Sequence, residues 1–554
     1  MSNKQYWNSL DQLEKDPDFI AISENEFREE IPVDEFLSKS ELDSTQTSRR
    51  DFLKFMGFSL GAATLAACET PVMRSIPYVF KPESVNPGVP NYYASTFYNG
   101  TDFSSILVKT REGRPIFIKP NDVYPAEMRG VTARTNASVL ELYDDNRYRV
   151  PSKAGVNISE ADADAEIMAE LGKIKSAGGK IRILSGTMPS PSSLEAIRVF
   201  SAGFGGQEGE TPTGADVKHV QYDAISYSGI LEANEADFGL RVIPNYKFDA
   251  AKVIVAVGAD FLSSWLDEVA NGVGYTLRRN PAGKWMSRHH QFEANLSLTG
   301  SNADVRGAVK PSQYAQVLGM LYNEIAANSG AASLSVAALT DDDNGVADKL
   351  KTAAAELWAA RGASLVVCGC NETECQRICN AINNLLGNYG KTIDFAGAQF
   401  TKAGSDKDVL ALVDEMKSGE VGALLVVDAN PVYNLPASLG FAEAISKVGL
   451  TVYMGDRPNE TGAACKFVCP SHHYLEAWND YRPQAGLYTL AQPVIKPLFR
   501  TRQWQSALLK WSGMDADYFN FIRSNWQKEL ASRMEGIAFD AFWNKTLQSG
   551  VADM

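Results

Sequence analysis

The sequence predicts an α/β fold: two doubly wound parallel-sheet units, a small β-rich domain ahead of them, and a disordered acidic leader. Three observations predict it. Val253-Ile254-Val255-Ala256-Val257 is a continuous apolar run that stops on Gly258, the pattern of a strand buried on both faces of a parallel sheet. From residue 161 onward such runs alternate with helix-length segments, the rhythm of βαβ units. Ahead of them, residues 105–119 alternate apolar and polar about the turn Arg111-Glu112-Gly113-Arg114, which reads as an antiparallel hairpin.

The order of parts begins with residues 1–47, which hold 12 Asp and Glu against 4 Lys and Arg, with Tyr6, Trp7 and Phe36 scattered among them. Such a stretch cannot bury a core of its own and reads as disordered, with its aromatics as short docking segments. Residues 48–70 carry Ser48-Arg49-Arg50-Asp51-Phe52-Leu53-Lys54 followed by an uncharged run of 13 residues, 55–67. Arg49 and Arg50 with Phe52 and Leu53 form the twin-arginine export pattern, an address read by a receptor. The run is shorter than the roughly 18–20 residues that span a bilayer, and reads as a signal h-region. It closes on Leu65-Ala66-Ala67-Cys68, where Cys68 is either the lipid-accepting cysteine of a lipobox or an ordinary cysteine near a signal end. The address places the protein on the periplasmic side of a bacterial inner membrane.

Residues 71–155 form the small β-rich domain: a proline-rich connector, the hairpin, and a helical pattern over 137–143. Residues 156–312 make the first α/β unit, with a strand at Ile181-Arg182-Ile183-Leu184-Ser185 and a helix over 192–204. Residues 313–455 make the second, with a helix over 313–327 and strands at 364–367, 392–395, 423–428 and 450–454. Residues 456–554 are a return segment and C-terminal helices. Trp504, Trp511, Phe519, Phe521, Trp526, Phe539 and Phe542 crowd that tail and read as a docking surface, with packing of its own helices as the alternative.

The net charge of −14, with no basic run or recognition-helix pattern, excludes nucleic acid as a partner. No segment has the length and apolarity of a transmembrane helix, so a membrane link runs through lipid or a partner. The cysteines leave alternatives open. Cys368, Cys370, Cys375 and Cys379 follow a C-x-C-x4-C-x3-C spacing that matches neither common ferredoxin run. A cluster, a disulfide and plain buried thiols are each readings of it, as for Cys465 and Cys469. Cys375, Cys379 and Ile382 share one helical face, which favours core. The adjacent pairs His289-His290 and His472-His473 read as surface or interface residues. Loops Gly258-Ala259-Asp260-Phe261 and Asp428-Ala429-Asn430-Pro431 leave the carboxyl ends of strands, where open α/β sheets bind ligands, or are tight turns with none. No G-x-G-x-x-G or Walker A sequence accompanies them.

Several dispersed stretches, in order, resemble the molybdopterin oxidoreductase superfamily, in the twin-arginine variant found in bacterial alternative complex III. They are Tyr6-Trp7-Asn8-Ser9-Leu10, the twin-arginine stretch, Ile76-Pro77-Tyr78-Val79, residues 134–147, Val257-Gly258-Ala259-Asp260-Phe261-Leu262, residues 299–306, Asp428-Ala429-Asn430-Pro431, residues 472–478 and residues 492–498. The resemblance implies a fold able to bind molybdopterin guanine dinucleotide. Its implied partners are a ferredoxin-like iron–sulfur protein, quinol-binding integral membrane subunits and c-type cytochromes. Two departures bear on chemistry. Residues 91–97 contain no cysteine where catalytic members carry their cluster motif, and the later cysteine near 133–137 is also missing. No serine or cysteine aligns with the molybdenum-ligand position. The expectation is therefore no catalytic, cofactor-binding or metal-binding residue in this chain, with iron–sulfur clusters on the ferredoxin-like partner. That partner is either a separate protein or a C-terminal half beyond Met554. The chain reads as a noncatalytic structural component of a quinol-oxidising oxidoreductase complex. A molybdopterin-dependent oxidoreductase and a periplasmic ligand-binding lipoprotein are the alternatives.

Replacing Arg49 and Arg50 together by lysine is expected to leave the protein in the cytoplasm, because the pair is the element the export receptor reads. Cell fractionation checks this, and unchanged export refutes it.

Overall fold

In the computed structural model, residues 88–125, 130–205, 214–339, 345–530 and 538–553 are described. The leader, the twin-arginine stretch and Cys68 lie outside the described residues. The hairpin forms where the alternation puts it: Phe103–Arg111 pairs antiparallel with Arg114–Pro120. Glu112 (φ 52°) and Gly113 (φ 77°) both sit in the left-handed region, the two-residue turn whose twist matches a right-handed hairpin. Asn91–Tyr98, which the sequence pattern does not single out, adds a third strand along Phe103–Arg111. Helix Ala133–Glu141 starts earlier than its apolar periodicity suggests, because the Thr132 side chain accepts the Thr135 N–H and caps it. Phe97, Ile106, Val108, Ile118, Val139 and Leu142 close this small core, and Leu475 joins them from far along the chain.

Two larger sheets follow, one parallel throughout and one parallel except for the two short strands at its edge, which pair antiparallel. One has four strands in the order Val305–Ala308, Arg288–Glu293, Val253–Val257, Ser364–Cys368. Side chains alternate across it: Val253, Val255 and Val257 pack under Val317, Leu321 and Leu350, while Ile254 and Ala256 pack with Phe248, Phe261 and Leu231. Burial on both faces is the reason the run is continuously apolar. The larger sheet has seven strands in the order Val156–Asn157, Ser152–Lys153, Phe467–Val468, Leu450–Met454, Val421–Val427, Lys180–Ser185, Asp216–Gln221. Its faces are covered by Ile197, Phe200, Leu508 and Trp511 on one side and by Val409, Leu412, Met416 and Phe441 on the other.

The two sheets are not successive along the chain. After Asp216–Gln221 the chain leaves the larger sheet, builds the smaller one from strands between 253 and 368, and returns with Val421–Val427 beside Lys180–Ser185. A division into 156–312 and 313–455 therefore cuts across both sheets. Local patterns identify parallel strands but not their partners, since crossovers join them over any distance. Ile393–Gln399 also departs from the expected parallel set. It lies in a five-stranded sheet of antiparallel pairs with Ile243–Tyr246, Asn479–Gln484, Leu487–Ala491 and Val551–Asp553. Its sequence, Ile-Asp-Phe-Ala-Gly-Ala-Gln, carries two polar residues among seven and is only partly buried, which suits that sheet.

The aromatic tail packs on the protein's own core. Trp511 belongs to the larger sheet's core, and Trp526 and Trp543 are buried with Tyr488, Leu490, Tyr518 and Ile522. Phe519, Phe521, Phe539 and Phe542 pack against that cluster, and Trp504 against the larger sheet's core. This corrects the docking-surface reading: aromatic density alone does not separate an interface from a core.

A fully buried ion pair fastens the small domain to the return segment. Arg147 Nη2 donates to Glu476 Oε2 at 2.6 Å and Nη1 to Oε1 at 3.3 Å, with both side chains fully buried. Arg147→Ala is expected to destabilise the protein by roughly 3–5 kcal/mol, because it strands a buried carboxylate. A lower denaturation midpoint with unchanged slope in urea checks this.

Candidate functional site

The carboxyl ends of the larger sheet's central strands open onto a cavity of about 400 Å³. Val421–Val427 delivers Asp428, and Leu450–Met454 delivers Gly455, Asp456 and Arg457. Phe97 and Tyr98 enter from the small sheet, Ser471 to Tyr474 from the return segment, and Trp478, Tyr481 and Trp504 close the wall. This is the crevice in which open α/β folds place ligands.

Asp428 is held at φ 42°, one of four non-glycine residues with positive φ among those described. Its backbone N–H donates to the Met454 carbonyl at 3.1 Å, so neighbouring strands pin it there. Such strain costs about 1 kcal/mol or more and collects at functional positions. The carboxyl faces the cavity, which leaves it accessible surface although protein encloses the cavity around it. Burial first, then the charges of Asp456 and Glu141, push it up to about 6 against the opposing Arg457. Burial likewise raises Asp456, against Arg457 and Arg147. Arg457 is already engaged, donating to Glu141 at 2.7 Å and to Asp456 at 3.3 Å. Arg147 Nε lies 3.8 Å from Asp456 while its Nη groups hold Glu476.

His473 is the second unusual group. It is 3% exposed, and its Nδ1 accepts the Leu475 N–H at 3.3 Å, which puts the proton on Nε2. Nε2 has no hydrogen-bond partner among the described residues. Burial, aided by the Arg147 and Arg457 charges, holds the imidazole well below its usual range, so the ring is neutral. The cavity therefore sets carboxyls that hold protons more tightly than usual within aromatic walls, beside a neutral imidazole whose Nε2 is itself buried.

The histidine pairs are not surface residues. His289 and His290 are fully buried on strand Arg288–Glu293 and point to opposite faces. His289 meets Tyr275 at 3.1 Å, and His290 meets Glu356 at 2.7 Å. His472 is half-buried on Thr501. Their polarity suggested the surface, and hydrogen bonds to partners from other elements offset the cost of burial.

The four clustered cysteines do not converge on one point. Cys368, Cys375 and Cys379 pack in the smaller sheet's core, and Cys379 Sγ donates to the Val366 carbonyl at 3.3 Å. All six described cysteines are free thiols, and Cys465 and Cys469 are buried. Ahead of them, the cysteine-free residues 91–97 lie within strand Asn91–Tyr98.

The carboxyl end of the smaller sheet is filled. Gly258 takes φ 65°, and the Tyr314 ring stands where a Cβ would be. The Gly258 carbonyl crowds the Cα of Gly369 so closely that no side chain fits there. Asp260 is used within the loop, accepting the Thr299 hydroxyl at 2.6 Å. Loop 258–261 is thus a closed turn. Neither sheet end suits a pyrophosphate-bearing dinucleotide. One is plugged by Tyr314, and the other sets Glu141, Asp428 and Asp456 against Arg457 alone. A pyrophosphate wants cations or free N–H groups, whereas this set suits a neutral or cationic polar group.

Strand periodicity brings Asp428 to its strand end, in a loop the sequence marks as a ligand position. His473 lies in one of the stretches that carry the superfamily resemblance. Glu141 lies in another of those stretches, residues 134–147, whereas Tyr453 and Arg457 carry no sequence signal that would gather them here.

No protein-family model matches the chain. It is similar to the menaquinone reductase molybdopterin-binding-like subunit of Nitratidesulfovibrio vulgaris strain Hildenborough, at 25% identity over 513 residues, covering 84% of this chain and 72% of that protein. Among solved structures it is similar to acetylene hydratase from Pelobacter acetylenicus, with a TM-score of 0.60 over 83% of this chain and 74% of that chain, at 11% identity. The chain has the α/β molybdopterin-oxidoreductase-like fold.

Asp428→Asn is expected to stabilise the protein. An unfolded aspartate titrates near 3.9 and the folded one near 6, so the folded state binds the extra proton and stability falls as pH rises between those values. The gain should be full above pH 6 and vanish near pH 4, because asparagine tolerates positive φ and mimics the protonated acid. Melting temperature against pH for both proteins checks this.

Proposed function

We propose that this chain is a noncatalytic, molybdopterin-oxidoreductase-like subunit of a membrane-associated, quinone-linked electron-transfer complex. The observation that carries the reading is the similarity over 84% of the chain to a protein named as the molybdopterin-binding-like subunit of a menaquinone reductase. The fold is retained, while the strand ends that would receive a dinucleotide are respectively filled and anionic. A fold does not carry its chemistry with it when the site residues are changed.

Within that class, the assignment extends to the molybdopterin-type component of an alternative complex III. There the chain would buttress a ferredoxin-like iron–sulfur protein, quinol-binding membrane subunits and c-type cytochromes. The dispersed stretches from Tyr6 to Leu498 support this. The Arg49-Arg50 address supports the periplasmic face of the inner membrane. In this role the residues of the chain bind and orient neighbouring subunits, and no electron passes through a centre of its own.

The test is purification from native membranes in mild detergent. The chain is expected to co-purify with iron–sulfur, haem and membrane subunits, in a complex that couples quinol to cytochrome c and contains substoichiometric molybdenum. Stoichiometric molybdenum bound to this polypeptide would overturn the noncatalytic reading. Isolation of the chain alone, with no partners, would overturn the complex. A complex that reduces quinone and fails to oxidise quinol would replace the alternative complex III assignment with a quinone reductase.

A further inference from the structure

Cys370, Glu372 and Cys375 are gathered at one point at the rim of the smaller sheet's core, and the proposed function does not use that gathering. One ligand atom from each lies within 4.8 Å of the others, the one such His, Cys, Asp and Glu group among the described residues. They stand where strand Ser364–Cys368 hands over to helix Thr373–Leu385. Glu372 is the residue before the helix and exposed, Cys370 is partly exposed, and Cys375 lies beneath them. The Cys375 thiol donates to Glu372 Oε2 at 3.6 Å, so sulfur and carboxylate already face each other.

The loop is held in place from several sides. Gln376 Nε2 donates to the carbonyls of Cys368 at 3.0 Å and Cys370 at 2.5 Å, tying the loop to the first turn of the helix. The Cys370 N–H reaches Cys368 Sγ at 3.3 Å. Asn371 accepts the Gly229 N–H at 3.0 Å and donates to Asp406 at 3.2 Å. Gly369 is closed against the Gly258 carbonyl. These bonds fix the backbone on both sides of Cys370, which lowers the ordering cost of binding.

We infer that Cys370, Glu372 and Cys375 form a binding site for a zinc-class divalent cation. Two thiolates and one carboxylate are a borderline-soft S2O set. It suits zinc better than copper(I), which prefers sulfur alone, or magnesium and calcium, which prefer oxygen. Tetrahedral zinc with sulfur at about 2.3 Å needs ligand atoms roughly 3.8 Å apart, within reach by small side-chain rotations from the observed spacing. Cys375 sits in the first turn of a 13-residue helix, whose dipole works against the Cys370 hydrogen bond and the burial that raise its thiol, so the cation itself must displace the proton. Binding displaces the two thiol protons to solvent. With Cys370 and Glu372 on the rim and Cys375 beneath them, the fourth position is open to water or to a ligand from a neighbouring subunit. This site is independent of the proposed function.

The test uses the reduced full chain, or its complex, stripped with chelator and titrated with zinc alone. One zinc per chain is expected by elemental analysis and by competition with a chromophoric chelator. Cobalt in its place is expected to give thiolate charge-transfer absorption. Cys370→Ser with Cys375→Ser should abolish that absorption and weaken zinc at least tenfold. Glu372→Gln, an exposed change that spares the fold, should weaken zinc severalfold, and Cys465→Ala should leave it unchanged. The proposal is overturned by zinc stoichiometry and cobalt spectra that persist in the double variant. It is equally overturned by two freely titratable thiols and no bound metal in the folded wild type, or by a Cys370–Cys375 disulfide that survives isolation under mild reductant.

Discussion

The buried pair of Arg147 and Glu476 is the constraint around which the site is arranged. Moving two charges out of water costs several kcal/mol each, and only a fully bonded arrangement offsets it. Here it is nearly complete. Glu476 accepts both Nη groups of Arg147, the His473 N–H at 3.0 Å and the Leu498 N–H at 2.8 Å. Arg147 also donates to the Leu142 carbonyl at 3.0 Å and lies 5.3 Å from the Phe499 ring. The same bonds therefore fasten the end of the small domain to two turns of the return segment. They fix the backbone of His473, whose imidazole is kept neutral by burial, with the charge of Arg147 as a second cause. It also opposes the proton that Asp456 would otherwise hold more tightly.

What the sequence made legible follows from which interactions are local. The run Val253-Ile254-Val255-Ala256-Val257 declares a strand buried on two faces, and Glu112-Gly113 declares its turn, because periodicity and left-handed φ act within a few residues. The placement of Cys375 and Cys379 on a buried helical face was legible for the same reason. The interleaving of the sheets was not, since Val421–Val427 has the same apolar pattern whichever parallel neighbour it takes. Nor was the burial of His289 and His290, whose partners Tyr275 and Glu356 come from other elements. The candidate site was half legible. Asp428 and His473 lie in stretches the sequence singled out, but their meeting in one cavity depends on long-range pairing. The strain at Asp428 has no sequence signature, because aspartate is ordinary in any loop.

The two parallel sheets end alike and are used differently. At each carboxyl end the backbone turns away on a positive φ, at Gly258 in one and Asp428 in the other. In the smaller sheet the Tyr314 ring fills the space that glycine leaves, and Gly369 lets the loops meet. In the larger sheet the space stays open, and carboxyls and aromatic rings line it. A single scaffold thus keeps one sealed and one solvent-accessible crevice, and the difference rests on a tyrosine at the start of helix Tyr314–Ser329 rather than on the strands themselves.

The interleaved path of the chain has a consequence for how the protein is made. Strands Lys180–Ser185 and Asp216–Gln221 leave the ribosome long before their central neighbour Val421–Val427 exists. Until then Lys180–Ser185 presents an unpaired edge, a feature prone to pairing with another chain. Closing so long an excursion adds only modest entropy, since that cost grows logarithmically, but non-local pairing slows the search. The smaller sheet, with its strands between 253 and 368, can settle first and bring residues 221 and 405 near each other, as the Ser405 N–H to Gln221 carbonyl bond of 3.0 Å records. Late synthesis of the last third of the chain thereby becomes the step that shields the nascent edge.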